Sequence, residues 1–258
     1  MIRRIAAVLA CLLIVVGLAG CAGVGGGAAD NDRIVNAIGT DDVYTVRGAV
    51  QNGGLSPNAR LSVEAYPDGA PIIALAARAA SLEVMRFLIS SGADVNARTP
   101  VNETPLMLAA FFFDEVRGNR SFDRHERAVR LLVESGADLE NYYYYTPLAY
   151  AAYQDNERVV RYLLQRGAKV NGAAQQGGTY SNTPLMMAAI QGHERMVRML
   201  LAAGADADVR VYGGHTAAEF AEKYNHHGLA QLLQCAQRQY GTLPVGVNCR
   251  AMLGFSQH

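Results

Sequence analysis

The feature that most constrains this chain is a short motif repeated along it. Residues 104–110 read TPLMLAA, 146–152 TPLAYAA and 183–189 TPLMMAA. Each is followed by an amphipathic stretch that ends in Gly-Ala, with RAVRLLVESGAD closing at Asp138, RVVRYLLQRGAK at Lys169 and RMVRMLLAAGAD at Asp206. From Thr146 to Gly167 and from Thr183 to Gly204 is 21 residues, and from Thr104 to Gly136 it is 32, the same unit with an 11-residue insertion. A looser copy is PIIALAA at 71–77 with EVMRFLISSGAD ending at Asp94, and a terminal copy is HTAAEFAE at 215–222 with GLAQLL at 228–233. Self-similarity at such a period is the signature of a solenoid.

Each unit reads as two short antiparallel helices. Thr104, Thr146 and Thr183 offer a hydroxyl to cap the first helix, and the proline that follows sits where no N–H is needed. The small residues of Leu-x-x-Ala-Ala allow close approach between helices. The second helix carries apolar residues at helical spacing, such as Val159, Val160, Leu163 and Leu164. It stops at a glycine suited to the left-handed conformation that ends helices. Such a unit cannot bury its apolar face alone and must stack on copies of itself.

In these motifs the chain resembles the ankyrin repeat family. The resemblance implies an all-α solenoid of about six stacked helix-turn-helix units with hairpin-like fingers, the terminal units degenerate. The approximate units are 31–65, 66–98, 99–140, 141–177, 178–210 and 211–234, followed by a tail over 235–258. Several positions depart from the family pattern. The usual histidine of the TPLH motif is Met107, Ala149 or Met186, so the hydrogen bond made from that histidine is expected to be missing. His193 holds the Gly-His position of the repeat, with His125 and His226 at its equivalents, and capping or turn roles are expected for them. The finger before Thr146 is shortened to a run of four tyrosines, Tyr142 to Tyr145, and the turn of the third unit carries FFFDEVRGNRSFDR.

In this family, partners dock on the concave surface made by the finger tips and the exposed side of the first helix. The register places Phe111, Phe112, Tyr143, Tyr145, Tyr153, Tyr180, Ile190, Tyr212 and Tyr224 there, as the expected partner-binding residues. Tyr150 and Tyr162 fall instead where core or rim side chains belong. Rigid aromatic area that loses little conformational entropy is what protein-binding surfaces favour. The expected function is therefore a protein-binding scaffold.

The N-terminus bears on location. Arg3 and Arg4 precede an apolar run, Ile5 to Leu18, that is too short to span a bilayer and reads as a secretory signal. Leu18-Ala19-Gly20-Cys21 resembles the lipobox of bacterial lipoproteins, which implies cleavage after residue 20 and lipidation of Cys21. Residues 21–30 read as a glycine-rich tether. The expected location is the cell envelope, lipid-anchored and facing the periplasm; Ala22 in place of Asp after the cysteine favours the outer membrane. With Arg3 and Arg4 removed, 21 Lys+Arg stand against 23 Asp+Glu, about −2. That balance offers no basic excess for nucleic acid. In an oxidising compartment the expected fate of the two remaining cysteines, Cys235 and Cys249, is a disulfide, worth roughly 3 kcal/mol for a loop of about 15 residues.

No catalytic motif, nucleotide loop or metal-ligand spacing occurs, so no enzyme activity, no cofactor and no metal are expected, and the chain is read as monomeric. Two narrower roles stay open beside the scaffold: an immunity protein neutralising a secreted toxin, and an envelope-assembly or stress-protection factor.

Overall fold

The structure, a computed structural model, describes residues 26–52, 54–111, 123–140, 145–172, 182–210 and 214–238, with side chains from Asp30 onward. The described residues form six helix pairs: α1 (Gly26–Gly39) with α2 (Val43–Asn52), α3 (Ile72–Arg78) with α4 (Leu82–Ser90), and α5 (Pro105–Phe111) with α6 (Asp123–Glu134). They continue with α7 (Pro147–Tyr153) and α8 (Glu157–Gln165), α9 (Pro184–Gln191) and α10 (Glu194–Ala202), and α11 (Ala217–Lys223) and α12 (His227–Arg238). The six-unit, mostly helical solenoid expected from the repeats is what forms. One finger is regular enough to be a two-stranded antiparallel sheet, β1 (Arg60–Val63) with β2 (Tyr66–Pro71), pairing Arg60 with Pro71 and Leu61 with Ala70. No described helix is long and apolar enough to cross a membrane.

The capping logic works as the sequence implies. The hydroxyls of Thr104, Thr146, Thr183 and Thr216 accept from the backbone N–H three residues on, at 3.2–3.3 Å. The second helices close at Gly92, Gly136, Gly167 and Gly204, all left-handed at φ 88 to 94°. The missing TPLH histidine is partly replaced. The Met107 and Met186 sulfurs lie 3.4 and 3.5 Å from the N–H groups of Thr104 and Thr183. A thioether is only a weak acceptor, so the contact persists in a softer form.

First helices stack on one another at every junction, from α1–α3 through α9–α11, and more extensively than second helices such as α6 and α8. The cause is side-chain size, because Ala76, Ala77, Ala109, Ala110, Ala151, Ala152, Ala188 and Ala189 are all buried at the inner contact. The larger Val, Leu, Met and Tyr of the second helices hold those helices apart. A stack narrower on the inside bends toward the first helices, making their side concave. One continuous core runs from Ile34 to Ala236.

Two boundaries differ from expectation. The first helix begins at Gly26, inside the stretch 21–30 expected to be tether, because Ala28-Ala29 and the following polar residues sustain a helix that the glycine count obscured. The last helix continues to Arg238, so the tail starts at 239 rather than 235. Gln237 occupies the place of the glycine that stops the earlier units, and the helix runs through it.

Candidate partner-binding face

Three positions of each unit fall in the expected contact register. The residue before the helix cap is Glu103, Tyr145, Asn182 or His215 in units three to six. The residue seven after the cap is Arg78, Phe111, Tyr153, Ile190 or Lys223 in units two to six. The eighth is Gln154, Gln191 or Tyr224 in the last three.

The aromatic centre lies across units three, four and six. Tyr145, in the shortened finger, meets Tyr150 edge-on with ring centroids 5.6 Å apart. Phe111 packs edge-on against Tyr150 at 5.0 Å and nearly parallel to Tyr153 at 6.1 Å. Aromatic pairs in these geometries gain beyond their buried area. Gln191 of the fifth unit and Tyr224 of the sixth both lie close enough to the Tyr153 phenol to perturb it. Burial, then the neighbouring Tyr153 and Tyr224, raises the Tyr145 phenol above its ordinary range. The Tyr153 phenol is raised by burial first, against a smaller opposing effect of Gln191. Two tyrosines of the fourth unit and one of the sixth thus form one hydroxyl-bearing patch.

The expected contact residues separate into groups. Tyr145, Tyr153 and Ile190 are half-buried, and Tyr224 is 38% exposed, so all four keep surface for a partner. Phe111 does not; at 5% exposure it lies beneath Tyr150 and Tyr153. The assignment of Phe111 to the contact surface is corrected. The last turn of α5 rolls its final residue into the stack, and the ring supports the aromatic patch from below. Phe112, Tyr143, Tyr180 and Tyr212 lie outside the described residues, as do Cys21 and Cys249. Tyr150 and Tyr162 are both buried at 7%, in the core and rim positions expected.

A polar group at the other end of the face escaped the sequence reading. The Tyr66 hydroxyl donates to Glu103 Oε2 at 2.6 Å, and the Arg78 guanidinium sits over the Tyr66 ring at 6.0 Å. Burial raises the Glu103 carboxyl, opposed by Tyr66 and Arg78, and raises the Tyr66 phenol, helped by Glu103. The available signal was positional, since Glu103 and Arg78 stand at the same register positions as Tyr145 and Tyr153.

The histidines do not cap their own helices. His125, His193 and His226 place Nε2 at 3.0–3.1 Å from the carbonyls of Arg78, Tyr153 and Ile190, each at the end of the preceding unit's first helix. Ser81 makes the same link to Ile38. A Cβ on Gly192 would come within 2.6 Å of the His226 ring, and the residue is left-handed at φ 75°. Glycine there lets the ring through.

Family models described as ankyrin repeats in three copies and ankyrin repeats in many copies match residues 73–174 and 148–201. With the capped helix pairs and their glycine stops, this settles the class: the chain belongs to the ankyrin repeat family. It is a protein–protein interaction scaffold of a generally non-enzymatic kind, and no catalytic family is indicated. Comparison with curated proteins returned no match.

Proposed function

We propose that this protein is a lipid-anchored scaffold of the bacterial cell envelope. In this reading it faces the periplasm and binds a protein partner through the concave patch of Tyr145, Tyr153, Ile190 and Tyr224. The observation that carries the reading is that Tyr145 and Tyr153 of the fourth unit lie together with Tyr224 of the sixth, with the half-buried Ile190 of the fifth unit at the same register position as Tyr153. Tyrosine suits such a surface, because its ring gives rigid apolar area and its hydroxyl a hydrogen bond. The anchoring half of the proposal is supported by Leu-Ala-Gly-Cys at 18–21 behind an apolar run.

The two halves separate experimentally. Globomycin, which blocks lipoprotein signal cleavage, should accumulate the precursor, and Cys21→Ser should release the protein from membranes; a chain processed and retained regardless contradicts the anchor. For binding, a Tyr145, Tyr153 and Tyr224→Ala triple variant is compared with an Arg161, Arg195 and Arg198→Ala control on the second helices. A partner purified from envelope extract should be lost from the first and kept by the second. Equal capture by both, with unchanged circular dichroism, contradicts the assignment of the face.

A further inference from the structure

The end of the solenoid is finished in two different ways. In the second helices, the residue eight after Leu82, Glu126, Glu157 and Glu194 is Ser90, Glu134, Gln165 and Ala202, and all four are exposed. The next residue, Ser91, Ser135, Arg166 or Ala203, is not buried in any of these units. In α12 the same two places hold Cys235 and Ala236, which are 1% and 8% exposed. No seventh unit follows in the described residues, so these positions should be the most open of all. The first helix shows the reverse. Met186 and Ala189, buried in α9, correspond in α11 to Glu219 and Glu222, whose side chains are 46% and 57% exposed. The chain made the inner half of its last unit polar and left the outer half apolar.

We propose that the outer half of the last unit is a docking surface for the chain's own residues 239–258, fastened by a Cys235–Cys249 disulfide, while the α11 side stays open. Cys235 is buried and disulfide-bonded, and Cys249 is the cysteine the tail supplies. The composition of the tail fits an intramolecular role. Its twenty residues include Tyr240, Leu243, Val245, Val247, Met252, Leu253 and Phe255, and only one residue, Arg250, from among Asp, Glu, Lys and Arg. A tail meant to stay solvated is rich in charge and poor in such side chains. Solenoids need a finished end, because an exposed stacking face invites association. The bond forms by exchange. The two thiols lose their protons and two electrons to an incoming protein disulfide, which leaves as a dithiol.

The footprint makes the proposal testable. Hydrogen exchange is measured on the full mature chain, a Cys249→Ser variant, and a chain stopped after Arg238. Removing the tail should speed exchange across α12 by about tenfold or more while α11 and α7 to α10 hold, since local opening tracks local contacts. Cys249→Ser should give a smaller rise confined to α12, and it keeps the test open if the truncated chain does not fold. Peptide mapping without reductant should recover Cys235 linked to Cys249. Unchanged α12 exchange in both variants overturns the proposal, as does protection spread equally over α11. Protection that depends on protein concentration and survives truncation would show a second copy on this face, and also overturns it.

Discussion

The junction between the third and fourth units and the one between the fourth and fifth join the same geometry by different means. At the latter, Asn171 Oδ1 accepts from the Asp206 N–H at 2.9 Å and His193 reaches the Tyr153 carbonyl at 3.0 Å. Asn58 and Asn96 do the same work earlier, accepting from Asp94 and Asp138 and donating to Gly92 and Gly136. At the third–fourth junction Glu140 stands in place of that asparagine. It accepts from the Lys169 N–H at 2.7 Å, but a carboxylate cannot donate, and its Oε2 is buried without a partner. Asn156, in the place of the histidine, caps its own helix through the Val159 N–H. Aromatic and ionic contacts stand in for the missing links: Phe111 under Tyr150 and Tyr153, Arg130 at 4.3 Å over the Tyr162 ring, and Arg158 with Asp123 at 3.0 Å. The repeat prescribes a spacing, and more than one chemistry can hold it. The junction that gives up its hydrogen-bond ladder is also the one that presents the aromatic patch.

The largest expected effect is at the aromatic junction. Phe111→Ala should destabilise by about 3–5 kcal/mol, as for other buried phenylalanines, measured by urea unfolding. A loss below about 1 kcal/mol would mean the rings do not hold this junction. Next comes His193→Ala, which removes the half-buried link to Tyr153 and should cost about 1–3 kcal/mol. Asn156→Ala should cost about 1 kcal/mol, the ordinary loss of a helix cap. If the two costs were equal, the contrast between inter-unit link and local cap would fail.

Glu140→Gln carries a sign as well as a size. Burial raises the Glu140 carboxyl, against the opposing effects of the Lys169 N–H and charge. A raised folded value means the wild-type junction is at its most stable below the ordinary glutamate range and loses stability as pH rises through the raised value. The amide, which does not ionise and can donate as Asn96 does, should therefore melt higher than wild type at pH 7. The advantage should vanish at pH values below about 4. A gain that is the same at both pH values would assign the effect to something other than the buried charge. Smallest is Tyr162→Phe, expected within about 0.5 kcal/mol of wild type because its buried hydroxyl has no partner to lose.

Much of this architecture was legible in the sequence because its signals are local. A threonine, a proline and a glycine at fixed offsets mark where helices start and stop, and small or branched residues mark which helix packs inside. The face was legible in register but not in depth. Phe111 and Tyr153 hold equivalent positions, yet one is buried and the other half-open, which depends on how rings from different units roll together. The histidine links were not legible, since each joins residues 36 to 47 apart in the chain. Gln237 was a readable sign that the last helix continues, because the stop glycine is missing there.

The most direct test of the central claim, that partners dock on the concave aromatic patch, is photocrosslinking in intact cells. A benzophenone amino acid is placed at Ile190 on the concave side and, separately, at Arg198 on the second helix of the same unit. The account predicts a discrete crosslinked partner from position 190, absent at 198 and lost when Tyr153 and Tyr224 are changed to Ala. Equal crosslinking from both positions, or crosslinking at 190 that survives loss of the tyrosines, would contradict it.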